Sequence, residues 1–180
     1  LGAGEIIVQE LQSALSIPVQ LVFLEDLAEV LTQRSAATLV TVRYFASQAE
    51  GLLKELQAQH NATRAFRIIA IDIYNYQREL KLIQSLPAGN RVGLVSLSSG
   101  TLGVAEVMVH SVRGEDIYVM TAQCQDAQKL RALIKQSQTI ICDRASCKPV
   151  KAAIAKAAED LIRIPQVVCC DSYIDPHSID

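Results

Sequence analysis

Arg91-Val92-Gly93-Leu94-Val95-Ser96-Leu97-Ser98-Ser99-Gly100-Thr101-Leu102-Gly103-Val104-Ala105-Glu106 is the stretch whose reading decides the fold. It reads as a buried strand, a hydroxyl-rich turn and the opening of a helix. Ser98, Ser99 and Thr101 have short side chains that cap a helix N-terminus, and Gly100 lets backbone approach closely. A helix start offers unpaired N–H groups and the positive end of the dipole, so a carboxylate or phosphate suits it. Strand–turn–helix joins of this kind occur in most α/β proteins, and a purely structural role is the competing reading.

The same alternation runs outward along the chain. Apolar periodicity and end signals predict helices over 5–15, 25–32, 48–60, 77–85, 101–112, 126–136 and 149–162. They predict strands over 19–24, 38–44, 66–73, 92–97, 117–121, 139–142 and 166–170. Ser47 and Asp126 are the expected caps, Gly114 an expected helix stop, and Pro149 an expected first-turn proline. Such alternation implies mainly parallel sheets with flanking helices. Leu86-Pro87-Ala88-Gly89-Asn90 is the clearest break. It favours two small lobes joined by a hinge, as in solute-binding or effector-sensing domains; a single doubly wound sheet is the alternative. The expected division is a helix and linker over 1–17, one lobe over 18–86, a second over 91–166, and a crossover and tail over 167–180.

The chain has 180 residues, half of them hydrophobic, but only three Phe, five Tyr and no Trp. Its core must therefore be aliphatic, as in α/β layers. A net charge of −2 gives no support for nucleic-acid contact by this segment. No apolar run reaches the ~18 residues a membrane helix needs, and a cytoplasmic location is expected. Leu1 at the start and an unfinished tail lead us to expect a piece of a longer protein.

Five cysteines make an odd number. Cys142 and Cys147, and the adjacent Cys169 and Cys170, do not have zinc-site spacing, so no metal is expected. Cys124, Cys142, Cys169 and Cys170 read as small buried hydrophobes near strand ends. Cys147 lies between Arg144 and Lys148 at a helix start, where a thiol pKa falls. It is the candidate reactive or disulfide-forming residue.

Catalytic patterns are weak. No nucleophile elbow, phosphate loop or dinucleotide fingerprint is present, and His60, His110 and His177 pair with no nucleophile by spacing. No cofactor is expected. Glu25, Asp26, Asp72, Asp143 and Asp171 could gather at one sheet edge, though caps and turns explain them as well. Arg43 follows the strand predicted over 38–44; with Ser98, Ser99, Gly100 and Thr101 it would form an anion clamp. A surface ion pair is the alternative.

Several motifs in order carry a resemblance. They are Arg43-Tyr44-Phe45, Asp72-Ile73-Tyr74-Asn75-Tyr76, the run Gly93 to Thr101, Val119-Met120-Thr121-Ala122-Gln123 and Glu159-Asp160-Leu161-Ile162-Arg163. Together they resemble the C-terminal domain of PlmA-type regulators, a cyanobacterial branch of the GntR superfamily. The resemblance implies a winged helix-turn-helix before Leu1 that would bind DNA, and a homodimeric effector domain. It also implies a partner complex of the nitrogen signal protein PII with PipX, and thioredoxin-type redox control. It assigns no partner-contact residue.

Two functions compete. One is a non-catalytic regulatory domain coupling nitrogen, carbon or redox status to DNA binding. The other is a small-anion sensor or small α/β enzyme using the Ser98–Thr101 turn. Candidate dimer contacts are Ile7 and Leu11 on the first helix and Val107 and Met108 on the helix after the turn.

Overall fold

Strand and helix alternate as the sequence pattern requires in the computed structural model, which describes residues 3–60 and 65–178. The first elements are α1 (Gly4–Leu15), α2 (Leu24–Thr32), β1 (Ala36–Val42), α3 (Arg43–His60) and β2 (Ala65–Ile71). Then come α4 (Gln77–Ser85), β3 (Arg91–Ser96), α5 (Ser99–Arg113), β4 (Tyr118–Gln123) and α6 (Ala127–Gln136). The last are β5 (Thr139–Cys142), α7 (Arg144–Ala157) and β6 (Gln166–Cys169), with short 3-10 turns at Ala158–Asp160 and Pro176–Ser178. Every named strand pair is parallel, so the fold is mixed α/β with parallel sheets. Leu1 and Gly2 of the expected linker, and Ile179 and Asp180 of the expected tail, lie outside the described residues.

The chain divides into two compact units, each drawn from two stretches. The larger takes Leu1–Ser16 and Asn75–Tyr173; the smaller takes Ile17–Tyr74 and Ile174–Asp180.

The larger unit holds a four-stranded sheet in the order β4-β3-β5-β6. Strand order reverses between the β3→β4 and the β4→β5→β6 connections, and crossovers of constant hand then place helices on both faces. The cores agree. On one face Val92, Leu94 and Ile141 pack with Ile83 of α4 and with Leu102 and Val109 of α5. On the other, Val95, Ile140 and Cys142 pack with Leu130, Leu133 and Ile134 of α6 and with Val150 and Ile154 of α7. Gly93 explains how close α6 comes. A Cβ there would collide with Leu133 and stand 2.6 Å from Ser137 Oγ. Arg113 ties α5 to the end of α4: its Nη1 donates to the carbonyls of Ile83 at 2.8 Å and Leu86 at 2.6 Å. A cation there also meets the negative end of the helix dipole. Gly114 closes α5 at φ 58°, a left-handed region that favours glycine.

The smaller unit has the two-stranded sheet β1-β2, paired from Ala36↔Ala65 to Val42↔Ile71. Leu27, Leu31, Leu53 and Leu56 form its core. Its second stretch bonds beside β2. Ile174 bridges Ile73, Asp175 N donates to Asp72 O at 2.8 Å, and Ser178 Oγ accepts from Asp72 N at 3.0 Å.

Three local expectations change. Residues 19–23 form no strand, and α2 begins at Leu24. Glu25 and Asp26 favour a helix first turn, and Leu24, Leu27 and Leu31 make one helical face, which outweighs the β-branched content before them. The helix expected from Gln48 begins at Arg43, so β1 passes straight into α3 and Arg43 belongs to a first turn. Pro149 sits inside α7 rather than in its first turn. Asp143, six residues before the proline, caps the helix and sets its start at the cost of one backbone hydrogen bond at the proline.

Candidate functional site

Ligands of open α/β sheets bind beyond the strand carboxyl ends, where strand order reverses. In the larger unit that place lies between β3 and β5. Asp143, 7% exposed, occupies it. Its Oδ1 accepts from Ser146 N at 2.7 Å and caps α7. Its Oδ2 accepts from Leu97 N at 3.1 Å, so one carboxylate fastens both strand ends. Ser98 is also buried. Its Oγ accepts from Thr101 N at 3.2 Å, the N-cap that the hydroxyl-rich turn implied, and its N donates to Ser96 Oγ at 3.1 Å. Gln123 Nε2 holds the Leu97 carbonyl at 3.0 Å. Ser99 and Gly100 stay exposed at the start of α5.

A second carboxylate joins this edge from α1. Glu10 is buried and accepts from Ser172 Oγ at 2.8 Å and from Tyr173 N at 2.6 Å. Burial pushes the Tyr173 phenol up, with Glu10 and Asp143 adding to the effect. Tyr76 is pushed up strongly, first by burial and then by Cys170, Tyr173, Asp143 and Glu10. Both tyrosines stay neutral hydrogen-bonding groups at physiological pH.

Arg43 belongs to the smaller unit and the Ser98–Thr101 turn to the larger. In its own unit Arg43 makes a two-pronged pair with Asp72, Nε to Oδ1 and Nη2 to Oδ2, both 2.7 Å. The pair is open to solvent, with side-chain exposures of 67% and 48%. The hydrogen bond from Arg43 holds the Asp72 carboxyl below the usual aspartate range.

Cys124, Cys142, Cys147 and Cys169 gather on the α6–α7 face of the larger unit, whereas Cys170 packs on the α4–α5 face. Cys147 and Cys169 form a disulfide with Cα atoms 5.6 Å apart. Cys169 is thus a cross-linked residue rather than only a small buried hydrophobe; the α7 start lies over the β6 end, a proximity that chain spacing hides. Cys142 Sγ lies 3.8 Å from Cys169 Sγ. Burial, then the Asp143 charge, push the Cys142 thiol up to about 12. Protonated at neutral pH, it is a poor nucleophile toward the neighbouring disulfide. Cys170 is pushed up mainly by burial as well, and Cys124 is half-buried.

Of the candidate dimer contacts, Val107 is 69% exposed, beside Val104 at 62%. Ile7 and Met108 are half-buried, and Leu11 is buried.

Glu10, Tyr76, Tyr173 and the proximity of Cys142 to the disulfide escaped sequence reasoning. Glu10 left one signal: a carboxylate four residues after Ile6, on the apolar stripe of its helix.

A parallel sheet flanked by helices on both faces, with its strand-end edge closed by buried carboxylates, defines a doubly wound α/β domain. Residues 78–171, all within the larger unit, match the C-terminal domain of cyanobacterial PlmA-type GntR regulators. The chain belongs to that family of transcription regulators. The match includes the Ser98–Thr101 turn, Asp143 and the disulfide; Glu10, Arg43 and Asp72 lie outside it. No curated protein matches the chain. No helix among the described residues is long and apolar enough to cross a membrane.

Proposed function

We propose that this chain is the effector-sensing and dimerisation part of a DNA-binding regulator and carries no catalysis of its own. It would report nitrogen, carbon or redox status through PII bridged by PipX, in the cytoplasm. One observation carries the non-catalytic reading: the two buried carboxylates and the Ser98 hydroxyl at the sheet edge are engaged in holding that edge. Ser98 caps α5, Asp143 joins β3 to α7, and Glu10 anchors residues 172–173. A nucleophile or general base needs a side chain free to meet substrate.

The outward face of α5 supports self-association, because Val104 and Val107 present apolar surface at helical spacing. Light scattering after size exclusion tests this. A dimer of twice 19.6 kDa is expected, and Val107→Asp should move it toward monomer. Co-elution with PipX-bound PII is expected for the wild type. A monomer that ignores both proteins would overturn the reading.

The exposed Ser99 and Gly100 at the α5 start favour one second reading, a small-anion sensor at that turn. A thermal-shift titration with inorganic phosphate separates the two, since only the sensor gains stability with concentration.

A further inference from the structure

Three cysteine sulphurs of the larger unit converge although their spacing in the chain gives no metal motif. Cys142 ends β5 and Cys169 ends β6, and the two are directly paired in the parallel register. Paired residues of parallel strands project to the same face, and both pack on the α6–α7 side. Cys147, in the first turns of α7, is laid against them. The three Sγ atoms lie within 4.8 Å of one another. Strand register fixes two of the sulphurs and a capped helix the third, so the scaffold is rigid.

We propose that Cys142, Cys147 and Cys169, once the disulfide is reduced, form a three-thiolate site for one thiophilic d10 cation, with Zn2+ as its representative. The geometry carries this. Two ligands of a tetrahedral ion with ~2.3 Å metal–sulphur bonds stand ~3.8 Å apart. Cys142 and Cys169 already stand 3.8 Å apart. Only Cys147 has to draw back, by side-chain rotation, when its bond to Cys169 opens. Soft thiolates select such ions over hard cations. Three thiolates and a divalent ion leave one negative charge, which the positive end of α7 and Lys151, a cation acting on Cys142, offset. The Asp143 carboxylate adjoins the site but is held by Ser146 N and Leu97 N. Cys147 and Cys169 are only half-buried, so the sulphur cluster is open to an ion from solvent.

A dithiol supplies two electrons and two protons, the Cys147–Cys169 bond breaks to two thiols, and the dithiol leaves as its own disulfide. As the ion binds, each of the three thiols releases its proton to solvent. A small-molecule disulfide reverses this: it takes two electrons and leaves as its dithiol, the Cys147–Cys169 bond re-forms, the ion departs and Cys142 takes back a proton, so metal and disulfide exclude each other.

The test uses the full chain, reduced without oxygen by a water-soluble phosphine and desalted. Zn2+ is titrated against a chromophoric chelator, and Co2+ reports sulphur ligation through its thiolate charge-transfer absorption. One ion per reduced chain is expected, and none at this site in the oxidised chain. Cys142→Ser should lose at least ~100-fold in affinity, beyond the ~10–100-fold typical of losing an outer-shell partner. Cys124→Ser should bind as the wild type does. Circular dichroism checks the fold of each variant. A second readout needs no variant: in the wild type, Zn2+ should shield Cys142, Cys147 and Cys169 from alkylation together and leave Cys124 reactive. A reduced chain that binds no ion, a Cys142→Ser chain that binds like the wild type, or shielding that omits Cys142 overturns the proposal.

Discussion

The two units follow one rule, parallel strands joined by helices, and differ in how much core it yields. The larger covers both faces of a four-stranded sheet and builds a separate apolar cluster on each. The smaller has two strands and one cluster of four buried leucines. A two-stranded sheet is marginal without further packing, and its second stretch is held to Asp72 and Ile73 by backbone bonds. The family match lies wholly within the larger unit. The architecture that identifies the chain is thus also its better-insulated part.

The sharpest test of that difference is a pair of cavity mutations. Ile140 is fully buried on a central strand, and Ile140→Ala should cost ~2–5 kcal/mol. Leu53→Ala in the smaller unit, at a site already 7% exposed, should fall at the low end of that range. Native-state hydrogen exchange reads both. Ile140→Ala should accelerate the β3 and β5 amides, and in the wild type those amides should already outlast the β1 and β2 amides. Equal protection of the two sheets would erase the contrast.

The next effect concerns the edge. Asp143→Ala removes a helix cap worth about 1 kcal/mol. It also leaves the Leu97 N–H without its acceptor, which costs a further ~1–3 kcal/mol. Urea unfolding should show the combined loss. A loss no larger than the cap alone would mean that the link between β3 and α7 does not hold the edge.

The smallest effect belongs to the smaller unit. Arg43→Ala opens an exposed ion pair, and the loss of stability at neutral pH should be the smallest of the three. The informative readout is the Asp72 carboxyl followed by NMR against pH. In the wild type its midpoint should lie below that of an ordinary aspartate, because Arg43 hydrogen-bonds the charged form. Its folded pKa is lowered, so the stabilisation is present at neutral pH and fades as pH falls through the folded midpoint. Arg43→Ala should return the midpoint to the ordinary range.

What was legible follows the reach of each signal. The run Arg91 to Glu106 reads correctly because burial on both faces and the Ser98 cap are local facts. Asp126 caps α6 for the same reason. The start of α7 was misplaced because proline is a conspicuous marker, whereas the Asp143 cap is an ordinary residue whose effect depends on the helix that follows. Residues 19–23 misled because β-branched content means little without a partner strand. At the edge, Ser98 and Asp143 were visible as turn residues, but Glu10 meets Ser172 and Tyr173 across separations of 162 and 163 residues. No local pattern encodes a meeting at that range. The sulphur cluster was hidden likewise, since β5–β6 register and the seat of α7 create it.

The two-stretch construction of each unit bears on how the protein is born. During synthesis α1 is made well before Ser172 and Tyr173, so Glu10 meets its partners only after those residues have been added. The smaller unit waits a few residues longer, for Ile174 and Asp175 to reach Ile73 and Asp72. Both units therefore stay unfinished until residues 172–175 are added and are completed within a handful of amino acids. For most of that interval the nascent chain is a client for whatever shields exposed apolar surface at the tunnel exit.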